Sequence, residues 1–230
     1  MRFLIIWFCG IIPVFGQEHD PVTIINDSKS EYGKIKDFTA DAEINVNVDF
    51  IKIPRKYATV YFKSPDKYRF ISPGFIMIPK KGLNFSVQDL LMQPATIIYI
   101  GTFELEEDKC DEIKAIPEDG KSDLVLATFY ISTLTHYVKR IEANTKKTGA
   151  YSVNLDYGLN KLPLPEEIQI TFDIEKISFP LKFMGDMKVE NKGGGSNPEP
   201  ASVTIKYTHY KVNIGLNDQI FVEEPGLKNK

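Results

Sequence analysis

The sequence predicts a mainly β domain of α+β composition: an antiparallel sheet of about eleven strands in meander order, with a short helix or two. Three observations predict it. Over residues 37–50 every even position is apolar or alanine (Phe38, Ala40, Ala42, Ile44, Val46, Val48, Phe50), and every odd position is polar. An unbroken period of two puts one dry face and one wet face on an extended chain, whereas a helix would scatter these side chains around its circumference. The alternation recurs in several later segments, and Pro, Gly and acidic turn residues separate them.

The elements follow in order. Residues 1–16 carry a positive start at Arg2, an apolar run over 3–12 and a break at Pro13. That layout is a secretory signal, with cleavage expected between Gly16 and Gln17, and the apolar run is too short for a permanent span. Trp7 and Phe8 are too bulky for the positions preceding a lipid-attachment cysteine, so Cys9 is not read as one. Residues 17–230 then form a single domain. A short helix is expected within residues 17–32, with Asn26, Asp27 and Ser28 as caps. Strands are expected over 37–50, 57–63, 68–72, 75–78, 96–105, 111–116, 124–131, 137–144, 151–157, 168–174 and 203–214, with a second short helix over 86–92. The great length of the first strand predicts a large, curved sheet. In the last strand Val203, Ile205 and Tyr207 hold one register and Tyr210, Val212 and Ile214 the other, so a bulge is expected near Thr208 and His209. The stretch 192–200 (KGGGSNPEP), with Gly193, Gly194 and Gly195, reads either as a mobile flap or as a slack hairpin.

Composition excludes several function classes. With 28 basic against 31 acidic side chains and a net charge of −3, no basic excess exists to neutralise phosphates, so nucleic acid is not an expected partner. His19, His136 and His209 stand apart, without the spacing of a metal site. No nucleophile elbow, phosphate loop or dinucleotide fingerprint is present, and the acidic run from Glu104 to Glu112 lacks calcium-loop spacing. The reading is of a protein that is not an enzyme and needs no metal or cofactor. Cys110, the one cysteine beyond the signal, reads as a small buried hydrophobe.

What stands out is an apolar surplus on one side of the sheet. Phe38, Ile44, Val46, Val48 and Phe50 of the first strand would share a face with Val60, Phe62, Tyr68, Phe70, Phe75 and Met77. These residues are either plain core or the lining of a concavity that receives a flexible hydrocarbon.

Residues 58–70 (ATVYFKSPDKYRF) follow a long first strand and resemble the strand, basic residue, proline turn and aromatic segment of the LolA/LolB-like family of periplasmic lipoprotein carriers. Residues 162–174 (LPLPEEIQITFDI) and 203–221 (VTIKYTHYKVNIGLNDQIF) resemble the related lipoprotein-sorting-like proteins, so the chain reads as a divergent member. The resemblance implies an unclosed antiparallel β-barrel or strongly curved sheet, its concave face partly covered by helices. It also implies a periplasmic, monomeric carrier that takes acyl chains of lipoproteins or lipids toward the outer membrane, with inner- or outer-membrane proteins as partners. A non-catalytic lipoprotein-sensing or accessory module of the same fold is the alternative. In the carriers an arginine before the motif proline latches a helical lid; here Ser64 stands there, after Lys63, which puts that latch in doubt.

Overall fold

The computed structural model describes residues 20–48, 51–72, 87–92, 94–120, 122–147, 149–159, 161–172 and 200–222. The expected signal segment, the strand expected over 75–78, Phe50, Phe75, Met77 and Gly193 to Gly195 lie outside the described residues. A helix α1, Pro21–Tyr32, precedes strands β1 (Asp37–Val48), β2 (Ile51–Lys52), β3 (Lys56–Lys63) and β4 (Lys67–Ile71). The short helix α2, Val87–Met92, leads to β5 (Ala95–Leu105), β6 (Asp108–Pro117), β7 (Leu124–Ser132) and β8 (Val138–Thr145). β9 (Gly149–Asp156), β10 (Glu167–Phe172), β11 (Ala201–Val212) and a 3-10 turn, Asp218–Phe221, are the last of the described elements.

Helix α1 starts earlier than its expected caps. Asp20 is the N-cap, its carboxylate accepting from the backbone N–H of Val22 and Thr23, and Pro21 follows at the first helical position. Proline has no N–H to lose there and its φ is already helical. Asn26, Asp27 and Ser28 therefore lie inside the helix, where Ser28 is buried beside Ile25 and Tyr32.

The expectation of an unclosed barrel or strongly curved sheet is corrected by the topology. One open sheet runs β4-β3-β1-β11-β10-β9-β8-β7-β6-β5, with β2 pairing beside β1, and its two ends, β4 and β5, are not hydrogen-bonded to each other. The sheet is neither closed nor strongly curled. Bulges are what bend a sheet, and the centre has none: β11 with β10, β10 with β9 and β9 with β8 pair in continuous register. The meander is also interrupted, because β1 lies inside the sheet, antiparallel to both β3 and β11. The chain leaves one edge after β4, passes through α2, and re-enters at the opposite edge as β5.

The predicted bulge is present. Thr39 pairs with Lys211 and Asp41 with Thr208, so β11 fits two residues opposite Ala40, and His209 takes the left-handed φ of 54°. The predicted faces of β1 also hold: Phe38, Ala40, Ala42, Ile44 and Val48 are buried and Val46 half-buried, while Asp41, Asn45 and Asn47 are exposed. Asp37 alone breaks the pattern, an odd-numbered carboxylate that is 4% exposed.

The inner face packs as two clusters. One joins α1 and α2, through Ile25, Tyr32, Val87 and Leu91, to Ile113, Phe129, Ile141 and other residues of β6 to β10. The other joins Phe38 and Ile44 to Val60, Phe62, Leu164 and Ile205. Cys110 is free and fully buried, as expected of a small apolar side chain.

A tight turn leads from β9 toward the second cluster, with Gly158 at φ 53° and its N–H donating to Asp156 Oδ1 at 2.9 Å. A Cβ on Gly158 would meet the Glu166 carboxylate at 2.4 to 2.7 Å. Gly158→Ala is expected to lower stability by about 1–2 kcal/mol, through the left-handed backbone more than through the movable carboxylate. Gly120→Ala, with nothing within 4 Å of the added carbon, should stay within about 0.5 kcal/mol. Urea midpoints of the two variants make the comparison.

Candidate functional site: an apolar cavity at the seam of two cores

Where the two clusters meet, they leave a cavity of about 80 Å³. Its walls come from both sides. Strands β1, β3 and β4 supply Phe38, Val60, Phe62, Tyr68 and Phe70. Strands β9, β10 and β11 supply Leu155, Ile168, Ile170, Ile205, Tyr207 and Tyr210. Tyr32, Ile35 and Val87 enter from the helical side, and Pro163, Leu164 and Pro165 form a roof. None of these lining residues carries a charge.

One wall is a run of aromatic rings. Register sets Phe62 opposite Phe38 on one side and opposite Tyr68 on the other, with ring centroids 5.2 Å and 4.7 Å apart. Phe38 meets the Tyr210 ring edge-on at 5.4 Å, and Tyr210 lies 5.9 Å from Tyr207. Two residues three apart on one strand ordinarily face opposite sides. The bulge at His209 removes that difference and brings both tyrosines to the cavity.

Hydroxyl groups close the site by satisfying one another and the backbone. Tyr157 Oη donates to the Val138 carbonyl at 2.9 Å, accepts from Tyr32 Oη at 2.6 Å, and Tyr32 Oη in turn accepts the Val138 N–H at 3.1 Å. This ring of three bonds is buried, ties α1 to the start of β8, and leaves neither phenol wanting a partner. Burial raises the pKa of both phenols, so they remain neutral. The roof is pinned at two carbonyls: Tyr210 Oη donates to Pro165 O and Tyr137 Oη to Lys161 O, each at 2.8 Å.

The predicted lining is thus divided. Phe38, Val60, Phe62, Tyr68 and Phe70 come together on the cavity; Ile44, Val46 and Val48 lie farther along β1, outside the lining. Ser64 sits in the turn between β3 and β4, away from the lining, and its N–H donates to Lys36 O at 2.8 Å. Sequence reasoning missed Tyr207, Tyr210, Ile205, Ile168 and Ile170. Their alternation was legible, and the pairing of Ile205 with both Ile44 and Ile168 places them beside the residues that were chosen. Among the described residues, no group of three or more His, Cys, Asp or Glu is placed to hold a metal ion, and no helix is long and apolar enough to cross a membrane.

No protein-family model matches the chain, and no curated protein matches it. Solved structures do match. A DUF1329 family protein from Desulfovibrio piger is 12% identical, covering 88% of this chain and 98% of its own, with a TM-score of 0.59. A structure described as an outer membrane lipoprotein-sorting protein domain, from Vibrio parahaemolyticus, is 10% identical over 87% and 95%, with a TM-score of 0.54. A LolA superfamily protein from Nitrosomonas europaea is 8% identical over 88% and 97%, with a TM-score of 0.54. The fold is LolA/LolB-like. At these identities the likeness is one of fold alone.

Proposed function

We propose that this chain is a non-enzymatic periplasmic carrier, exported by its first sixteen residues, that holds acyl chains of lipoproteins or lipids for transfer toward the outer membrane. The observation that carries the reading is the uncharged cavity at the seam of the two cores, lined by Phe38, Val60, Phe62, Tyr68 and Phe70 and by the inner residues of β10 and β11. The likeness to a lipoprotein-sorting domain and a LolA superfamily protein supports it.

Magnitudes limit how binding works. At about 80 Å³ the cavity is roughly half the size of the engineered 150 Å³ apolar cavity that admits benzene. It therefore takes the end of a chain, and a longer one enters by lifting the roof. Raising the roof breaks two phenol–carbonyl bonds, each worth about 1 kcal/mol. Burying ten methylenes returns about 8 kcal/mol before ordering costs, a micromolar affinity at best. The gain outweighs the roof, and the affinity still permits release.

The test is binding of an acylated peptide to the wild-type chain, followed by native mass spectrometry and titration, with Val60→Phe as the filled cavity. Val60 is 1% exposed and faces the cavity, so the larger ring occupies the ligand's space. Affinity is expected to fall at least tenfold while the melting transition remains cooperative. A wild-type chain that takes up no acylated peptide would sink the proposal.

A further inference from the structure

Of the four tyrosines that line the cavity, Tyr32 and Tyr210 have hydrogen-bond partners for their hydroxyls. Tyr32 belongs to the closed ring with Tyr157 and Val138, Tyr210 donates to Pro165 O, and Tyr68 packs its ring against Phe62 and is not without a further contact. Tyr207 differs. Its backbone N–H donates to Glu166 O at 2.8 Å; among the described residues nothing hydrogen-bonds to its hydroxyl, and the half-buried side chain is not among those with a buried polar atom lacking a partner, so the oxygen is left to water. The residue packs against both core clusters, so it stands at the seam itself.

We propose that the Tyr207 hydroxyl is the polar handle of the cavity and donates to the carbonyl oxygen of an ester- or amide-linked acyl chain. This deepens the carrier reading and rests on it. A phenol in an apolar wall loses its water partners when a hydrocarbon fills the cavity, and an unmet donor there is costly, so the ligand is selected for an acceptor. The acceptor is neutral: no lining residue is cationic, and an ionised carboxylate placed beside Tyr207 would be buried without a counter-charge. Burial raises the phenol's pKa, which keeps it protonated as a donor across the physiological range. The bulge at His209 gives the handle its setting. It turns Tyr210 to the same side, where that hydroxyl holds Pro165 O while the roof is closed and can return to it over a bound chain, and leaves Tyr207 as the phenol with no protein acceptor to give up.

The experiment compares a fatty acyl methyl ester, an alkane of equal chain length and the free fatty acid at neutral pH, each titrated into wild type and Tyr207→Phe by displacement of a fluorescent lipid probe. In wild type the ester is expected to bind about fivefold more tightly than the alkane, the yield of one neutral hydrogen bond, and the free acid more weakly than the ester. In Tyr207→Phe the ester preference should vanish while alkane affinity stays within about twofold, which also shows that the variant is folded. An ester preference that survives the substitution, or equal binding of ester and alkane by wild type, overturns the inference while leaving a carrier in place. Binding of none of the three ligands removes the carrier reading itself.

Discussion

Phe62→Ala is expected to lower the free energy of unfolding by about 3–5 kcal/mol and, in the same protein, to widen the range of ligands bound. Phe62 is 3% exposed and stands between the Phe38 and Tyr68 rings, so truncation removes one side from two aromatic contacts. The loss combines the transfer free energy of the ring with the void it leaves, because a packed wall relaxes only in part. That void adjoins an existing cavity of about 80 Å³, so the two merge. An enlarged apolar cavity admits larger apolar guests. Urea denaturation should therefore show the midpoint falling, while titration with branched or aromatic acyl esters shows uptake that wild type refuses. A variant destabilised as expected but with unchanged ligand range would mean that Phe62 is core alone and that hydrocarbon enters elsewhere.

The residues that make this wall were legible in the sequence because they obey a local rule. Period-two alternation fixes which side of β1 and β3 is dry, and register then sets Phe38 against Phe62 without any further information. The bulge was legible for the same reason: the dry side changes parity between Tyr207 and Tyr210. What the sequence withheld was non-local. Nothing within β1 says that its neighbour is β11, about 165 residues later, and a meander is the natural reading until that pairing is known. Strand length and one bulge predict a strong curl, whereas the bulge-free pairing from β11 to β8 leaves the sheet open. Another part of the cavity was hidden in a different way. Pro163 to Pro165 and Tyr32 reach it from a loop and a helix end, and neither element carries a periodic pattern that says what it faces.

Asp37 shows how far a polar residue can mislead such a reading, and its removal is expected to have a large effect. By parity it belongs on the wet face, yet it is 4% exposed because the chain after β11 folds back over it. Its Oδ1 accepts from the N–H of Ile214 and Gly215 at 2.8 and 3.2 Å, and its Oδ2 from Gly215 and Leu216 at 3.0 and 3.3 Å. Left-handed φ values of 54° at Asn213 and 75° at Gly215 turn these donors toward one point, a concavity built for an anion and filled by the chain's own carboxylate. The Asn213 side chain completes the clasp, accepting from Lys36 N–H at 2.7 Å and donating to Lys34 O at 2.9 Å. Beyond it, Lys63 and Lys67 grip Asp218, and Arg69 donates to the carbonyls of Ile220 and Val222. Those bonds strap the tail over the β3 and β4 side of the sheet, but they are mostly exposed and individually weak. The buried carboxylate is the anchor. Asp37→Ala removes charge-assisted bonds and leaves three N–H groups to find water, at a cost of about 2–4 kcal/mol. Asp41→Ala on the same strand loses only exposed contacts with His209 and Thr59 and should cost about 1 kcal/mol or less. Hydrogen exchange is the decisive measurement. In Asp37→Ala the amides of residues 213–222 should exchange many times faster than in wild type, while those of β7 and β8 keep their protection. Uniform loss of protection throughout the sheet would instead make the strap part of one cooperative core, and equal behaviour of the two variants would deny Asp37 its role as anchor.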